Sequence, residues 1–82
     1  MAPQKARVVL VDDEIHIRYL MRSVIRGEGF EVVGEAYNGE DAIAMYREKR
    51  PDLLLLDINL PLKTGDEVLA EVLDEFPDAK VV

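Results

Sequence analysis

Two short stretches of this chain are apolar at every position, Val8-Val9-Leu10-Val11 and Leu53-Leu54-Leu55-Leu56, and each ends on an aspartate. A strand with one face in water alternates apolar and polar residues, whereas a strand that is apolar on both faces needs cover above and below. The first run is β-branched and reads as a buried parallel strand over Arg7–Val11, covered by helices on both sides. The second is ambiguous by periodicity alone. Its four-residue length and the Pro51-Asp52 punctuation before it favour a central buried strand.

Between and after these runs the signals alternate. Ile17, Leu20, Met21, Val24 and Ile25 repeat at helical spacing, with Gly27 and Gly29 as stop signals, so one face of a first helix is expected to be buried. Residues 30–36 carry Val32 and Val33 among polar neighbours and suit a shorter strand near a sheet edge. Asn38-Gly39 makes a turn into a helix over 40–49, which has acids at its start, bases at its end and Pro51 just beyond. Thr64 with Glu67 forms a capping-box pattern, and the helix that follows is stopped by Pro77. Lys80-Val81-Val82 reads as a fourth strand just beginning. The order β-α-β-α-β-α-β implies a mostly parallel sheet with helices on both faces, whose ligands bind beyond the carboxyl ends of the strands.

Composition narrows the function classes. Eighty-two residues make one small domain, with residues 1–6 as a loose leader and 7–82 as the folded part. A net charge of −7 argues against direct nucleic-acid binding and against docking on an anionic membrane. No run approaches the roughly 18 apolar residues of a membrane span. The absence of Cys removes disulfides, thiolate metal sites and thiol nucleophiles, and is consistent with a cytoplasmic location.

Asp12, Asp13 and Asp57 all fall at the carboxyl ends of strands. If the first and third strands are neighbours, the three carboxylates face one crevice and repel one another unless they share a cation. A hard divalent ion such as magnesium, which takes oxygen ligands and keeps several waters, suits that set. With such an ion bridging to a phosphoryl group, one carboxylate can act as nucleophile and carry an acyl phosphate. A plainer reading competes: Asp12, Asp13 and Glu14 precede a helix, where acids are stabilised by the dipole at about 0.3–1 kcal/mol each. Asp57, placed directly after four leucines, tips the balance toward a site.

These residues resemble the receiver domain of two-component response regulators, which has a flavodoxin-like α/β fold. The resemblance rests on Val8 to Glu14 read as V-V-L-V-D-D-E, Gly34-Glu35-Ala36 with Asn38-Gly39, Arg50-Pro51-Asp52, and Leu55-Leu56-Asp57-Ile58-Asn59-Leu60-Pro61 followed by Thr64-Gly65. It covers nearly the whole chain. It implies that Asp57 is the phosphoacceptor, fed by a phosphohistidine on a sensor histidine kinase. It also implies that Mg2+ is held by Asp13 directly, by Asp12 mainly through water, by Asp57, and by the backbone carbonyl of Asn59. Pro61 and Gly65 would shape the loop after the third strand. The implied role is a regulatory phosphoacceptor and not an enzyme with turnover.

A complete receiver also has a Ser or Thr ending its fourth strand, a Lys ending its fifth, and an aromatic switch residue on the fifth; these 82 residues contain none of the three. Lys80 cannot stand in for the lysine, because it starts the fourth strand on the far side from the acids. Impaired phosphorylation of the 82-residue chain is therefore expected, as is self-association as a homodimer or higher oligomer through a sheet face left thinly covered, with Leu54 and Leu56 as its apolar residues. A self-associating non-signalling half-domain, fragment or engineered, is one alternative reading. An aspartyl-phosphate phosphatase or phosphotransferase is another, though such enzymes place two Asp as D-x-D, whereas Asp12 and Asp13 are adjacent. Lys63 is read as a solvated loop lysine rather than a phosphate ligand, and His16 as an exposed polar residue of the first helical turn. Tyr19, Tyr37 and Tyr46 form no stacking stripe, and Met21 and Met45 read as core filler. The sequence names neither the kinase nor the output domain or target protein.

Overall fold

The structure is a computed structural model and describes residues 5–57, 60 and 63–82. Its elements run β1 (Arg7–Val11), α1 (Ile15–Gly27), β2 (Glu31–Ala36), α2 (Gly39–Lys49), β3 (Leu53–Leu56) and α3 (Gly65–Glu75). The strands form a parallel sheet in the order β2-β1-β3. Val81 bridges Leu54 in parallel on the outer side of β3, where the amides of Leu54 and Leu56 donate to the carbonyls of Lys80 and Val82 at 2.9 and 2.8 Å. The expected fourth strand is thus present as its first pairing. Of the expected leader, residues 1–4 lie outside the described residues, while the Ala6 carbonyl accepts from the Glu31 amide at 2.8 Å and extends the β1–β2 pairing.

Each helix starts and stops where its side chains dictate. Asn38 caps α2 by accepting from the Asp41 amide at 2.8 Å, and Glu40, Asp41 and then Arg47, Lys49 complement the dipole at its two ends. Thr64 caps α3, accepting from the Glu67 amide at 3.3 Å. At the end of α1, Phe30 donates to Ile25 and Gly29 to Arg26, both at 3.1 Å, with Gly29 at φ 92. That pair of bonds is a Schellman closure, which needs a residue free to adopt positive φ.

The register decides which leucine faces which layer. Val9 pairs with Leu54 and Val11 with Leu56, and this face packs against Ala42, Ile43 and Tyr46 of α2 and Val68 and Val72 of α3. Leu10 pairs with Leu55 on the opposite face, which among the described residues α1 alone covers. Leu54 therefore belongs to the core and half-buried Leu56 packs against it, contrary to the expectation that they line the thinly covered face; Leu55 does so, together with Leu20, Met21, Val24 and Ile25.

The α1 face expected to be buried is only partly so. Met21 and Ile25 are half-buried, whereas Leu20 and Val24 are 59% and 64% exposed. A single helix lies over one strip of a sheet face, and the residues at the margin of its apolar stripe project over an open groove beside it.

Candidate functional site

The parallel pairing of Val11 with Leu56 brings the acids together at the carboxyl edge of the sheet. The Asp12 amide continues the ladder to β2, donating to the Ala36 carbonyl at 3.1 Å, and the Asp57 amide does the same on the other side, donating to the Val11 carbonyl at 3.0 Å. Asp12, Asp13 and Asp57 are thereby anchored to neighbouring strands of one rigid sheet. Each contributes a carboxylate oxygen to a group in which all such atoms lie within 4.8 Å of one another. Asp12 is buried, Asp57 half-buried and Asp13 exposed, so the group opens to solvent along one side.

The helix-capping alternative accounts for part of this cluster. Asp12 Oδ1 accepts from the Glu14 amide at 2.8 Å and so closes the turn into α1. The N-cap residue itself, Glu14, makes no side-chain capping bond, and the first turn of α1 contains no acid. Capping thus explains one oxygen of Asp12 and leaves the convergence of Asp13 and Asp57 unexplained.

The donor chemistry fits a hard divalent cation. Oxygen ligands about 2.1 Å from magnesium stand at most roughly 4.2 Å apart in an octahedron, so three oxygens within 4.8 Å of one another fit an ion that takes some of them directly and the rest through water. Asn59, the remaining sequence-expected ligand, lies outside the described residues, as do Ile58, Pro61 and Leu62.

Other residues weighed from sequence sit elsewhere. The Lys63 ammonium is 2.7 Å from Glu71 of α3, and that hydrogen bond raises its pKa above 10.5, so it is engaged with α3 as well as solvated. His16 is exposed. Tyr46 is buried and packs on Phe76 with ring centroids 5.0 Å apart, while Tyr19 and Tyr37 are exposed. Met45 packs against the core, and Met21 lines the open groove. Lys80 pairs through its carbonyl at the start of the edge segment, away from the acids.

One group beside the acids escaped the sequence reading. Arg18, in the first turn of α1, donates from its guanidinium to the Asp12 carbonyl at 2.7 Å and stands 3.4 Å from Glu35 of β2, a residue that also binds Arg22 at 2.6 Å. A signal was present: a cation in the first turn opposes the helix dipole and needs a reason.

The family model of the response regulator receiver domain matches residues 8–82. This chain belongs to that family. The chemotaxis protein CheY of Thermotoga maritima is 37% identical over 76 residues, covering 93% of this chain and 63% of the relative. A putative transcriptional regulator of Pseudomonas aeruginosa is 42% identical over 77 residues, covering 94% of this chain and 37% of the relative. The chain thus spans less than two thirds of the length of these curated relatives. Among solved structures, the response regulator TrrA of Thermotoga maritima in complex with Mg2+ and beryllium fluoride superposes with a TM-score of 0.89 at 38% identity, covering 95% of this chain and 66% of that one. CheY in the CheX-CheY-BeF3-Mg2+ complex of Borrelia burgdorferi gives 0.90 at 27% identity, covering 93% and 58%. The receiver fold expected from the residue motifs is therefore the fold of this chain, flavodoxin-like α/β.

Proposed function

We propose that this receiver segment is a cytoplasmic phosphoacceptor of two-component signalling in which Asp57 takes a phosphoryl group from the phosphohistidine of a sensor histidine kinase. A carboxylate oxygen of Asp57 attacks phosphorus as the P–N bond breaks; the imidazole leaves with the bonding pair and takes up a proton, and the product is an acyl phosphate. Asp12, Asp13 and Asp57, with the Asn59 carbonyl, would hold Mg2+, which when bound supplies positive charge at the phosphoryl oxygens. The protein's own contribution is placement: Asp57 is fixed at the end of a strand bonded to β1, half-exposed and within reach of a donor, while buried Asp12 is held by its ladder bond and by Glu14.

The observation that carries this reading is the convergence of three carboxylates from two separate strand ends within 4.8 Å. The magnesium and beryllium fluoride in the TrrA complex support it by likeness. The role is regulatory, with the phosphorylated state biasing an output domain or target protein. The net charge of −7 leaves no part for direct nucleic-acid binding in this segment, and no helix among the described residues is long and apolar enough to cross a membrane.

Prolonged incubation with a small acyl phosphate and Mg2+, read by intact mass, tests the proposal. One phosphoryl group should be added to the unmodified chain and none to Asp57→Asn. Labelling that survives in Asp57→Asn, or steady turnover of a generic phosphomonoester, refutes the assignment.

A further inference from the structure

The guanidinium of Arg18 occupies an unusual place. Its side chain is only 12% exposed, it sits in the first turn of α1, and it is surrounded by groups from two other parts of the chain, Asp12 and the segment of Glu35 and Tyr37. One terminal nitrogen donates to the Asp12 carbonyl at 2.7 Å. Nε lies 3.4 Å from Glu35 Oε1 and has no aligned hydrogen bond, so this contact is a matter of charge. The guanidinium carbon lies 5.2 Å from the centre of the Tyr37 ring. The second oxygen of Glu35 is taken by Arg22 at 2.6 Å.

The consequence falls on the peptide between Asp12 and Asp13. The peptide before Asp12 is fixed through its N–H, which donates to Ala36 of β2, and the Asp12 side chain is fixed through Oδ1, which accepts from the Glu14 amide. The peptide that joins Asp12 to Asp13 is planar, so its orientation is set by ψ of Asp12 and φ of Asp13, and its carbonyl end is the one that Arg18 bonds. A turn of that plane would redirect the chain at Asp13, and the Arg18 bond opposes it. Glu35 and Tyr37 in turn hold Arg18.

We propose that Arg18 is a positioning residue of the metal site: by bonding the Asp12 carbonyl it orients the Asp12–Asp13 peptide so that Asp13 joins Asp57, and Glu35 aims the guanidinium. This rests on the reading of Asp12, Asp13 and Asp57 as the magnesium site. It also runs against simple electrostatics, because removing a cation beside three carboxylates would by charge alone strengthen binding of another cation.

The test uses the 82-residue chain and two readouts, the amide shifts of Asp13 and Glu14 without metal and the Mg2+ dissociation constant from NMR titration of the folded protein. Arg18→Ala should shift both amides and weaken Mg2+ binding by about tenfold, the low end for groups that orient metal ligands. Arg18→Lys, which keeps the charge and one donor, should recover part of that loss. Arg22→Ala removes an equally short bond to Glu35 without touching Asp12, and should leave the Mg2+ constant unchanged. A purely structural role predicts that Arg18→Ala and Arg22→Ala lose stability alike with Mg2+ affinity intact, and that result overturns the proposal. Unshifted Asp13 and Glu14 amides in Arg18→Ala overturn it too, even if no metal binds. Should Arg18→Ala fail to fold, Glu35→Gln takes its place: it must weaken Mg2+ binding, and unchanged affinity refutes the aiming role. Failure of the metal-site reading itself looks different, because Asp13→Asn would then bind Mg2+ like the unmodified chain.

Discussion

Leu54 and Leu55 are neighbours of the same type, and the structure assigns them to opposite layers with different packing. Leu54 is fully buried among Val9, Val11, Val68 and Val72, and its N–H and C=O are both bonded to residues 80–82. The backbone there cannot collapse into a void, so Leu54→Ala should cost about 3–4 kcal/mol, within the usual range for a buried leucine. Leu55 is half-buried and borders an open groove that water can enter. Its truncation forfeits roughly half of a leucine's transfer energy and leaves no closed cavity, about 1 kcal/mol. The difference of about 2–3 kcal/mol corresponds to melting temperatures at least ~8 °C apart in a domain of this size, and Leu54→Ala removes much of the total stability. Urea and thermal unfolding followed by circular dichroism measure both variants. An unfolded Leu54→Ala beside a cooperatively folded Leu55→Ala agrees with the reasoning. Equal losses, or a larger loss for Leu55→Ala, would show that the faces of β3 are assigned the wrong way round.

Four further outcomes are expected. Millimolar Mg2+ should move the amide signals around Asp13 and Asp57 in the unmodified chain and not in Asp13→Asn. A Cβ at Gly39 would lie 2.7 Å from the Lys63 carbonyl and 2.8 Å from Val68, so Gly39→Ala should destabilise by about 1–3 kcal/mol, whereas Gly27, with open space around it, should accept alanine without loss in urea midpoint. Lys63 has its pKa raised by the hydrogen bond to Glu71; its stabilising contribution is whole below pH 10.5 and is lost as pH rises through the raised folded value, so the alkaline fall in urea midpoint should be shallower in Lys63→Met. Light scattering of the isolated 82-residue chain at micromolar concentration should show association through the groove of Leu20, Met21, Val24, Ile25 and Leu55, and Leu20→Lys should restore a monomer; a monodisperse unmodified monomer refutes this.

Local signals in the sequence were sufficient for the elements. Asn38 and Thr64 cap the helices they precede, Gly29 and Pro51 punctuate where a chain must turn, and the two all-apolar runs are the two central strands, because each of these effects acts within a few residues of its cause. The clustering of the three aspartates was foreshadowed for the same reason, since Asp12 and Asp57 each follow directly on a strand and Asp13 comes one residue later. What lay beyond local reading was every choice made between distant segments. Four identical leucines state that β3 is covered on both sides and nothing about which leucine meets which layer; the pairing of Val9 with Leu54 settles that. The helical repeat of Ile17, Leu20, Met21, Val24 and Ile25 records an apolar stripe without recording how wide a cover it meets, and α1, alone on its face among the described residues, leaves part of the stripe exposed. The bond from Arg18 to the Asp12 carbonyl, steadied by Glu35, spans three elements and depends on the angle at which α1 crosses the sheet. Periodicity reports that a side chain needs a partner, and only the packed chain determines which one it finds.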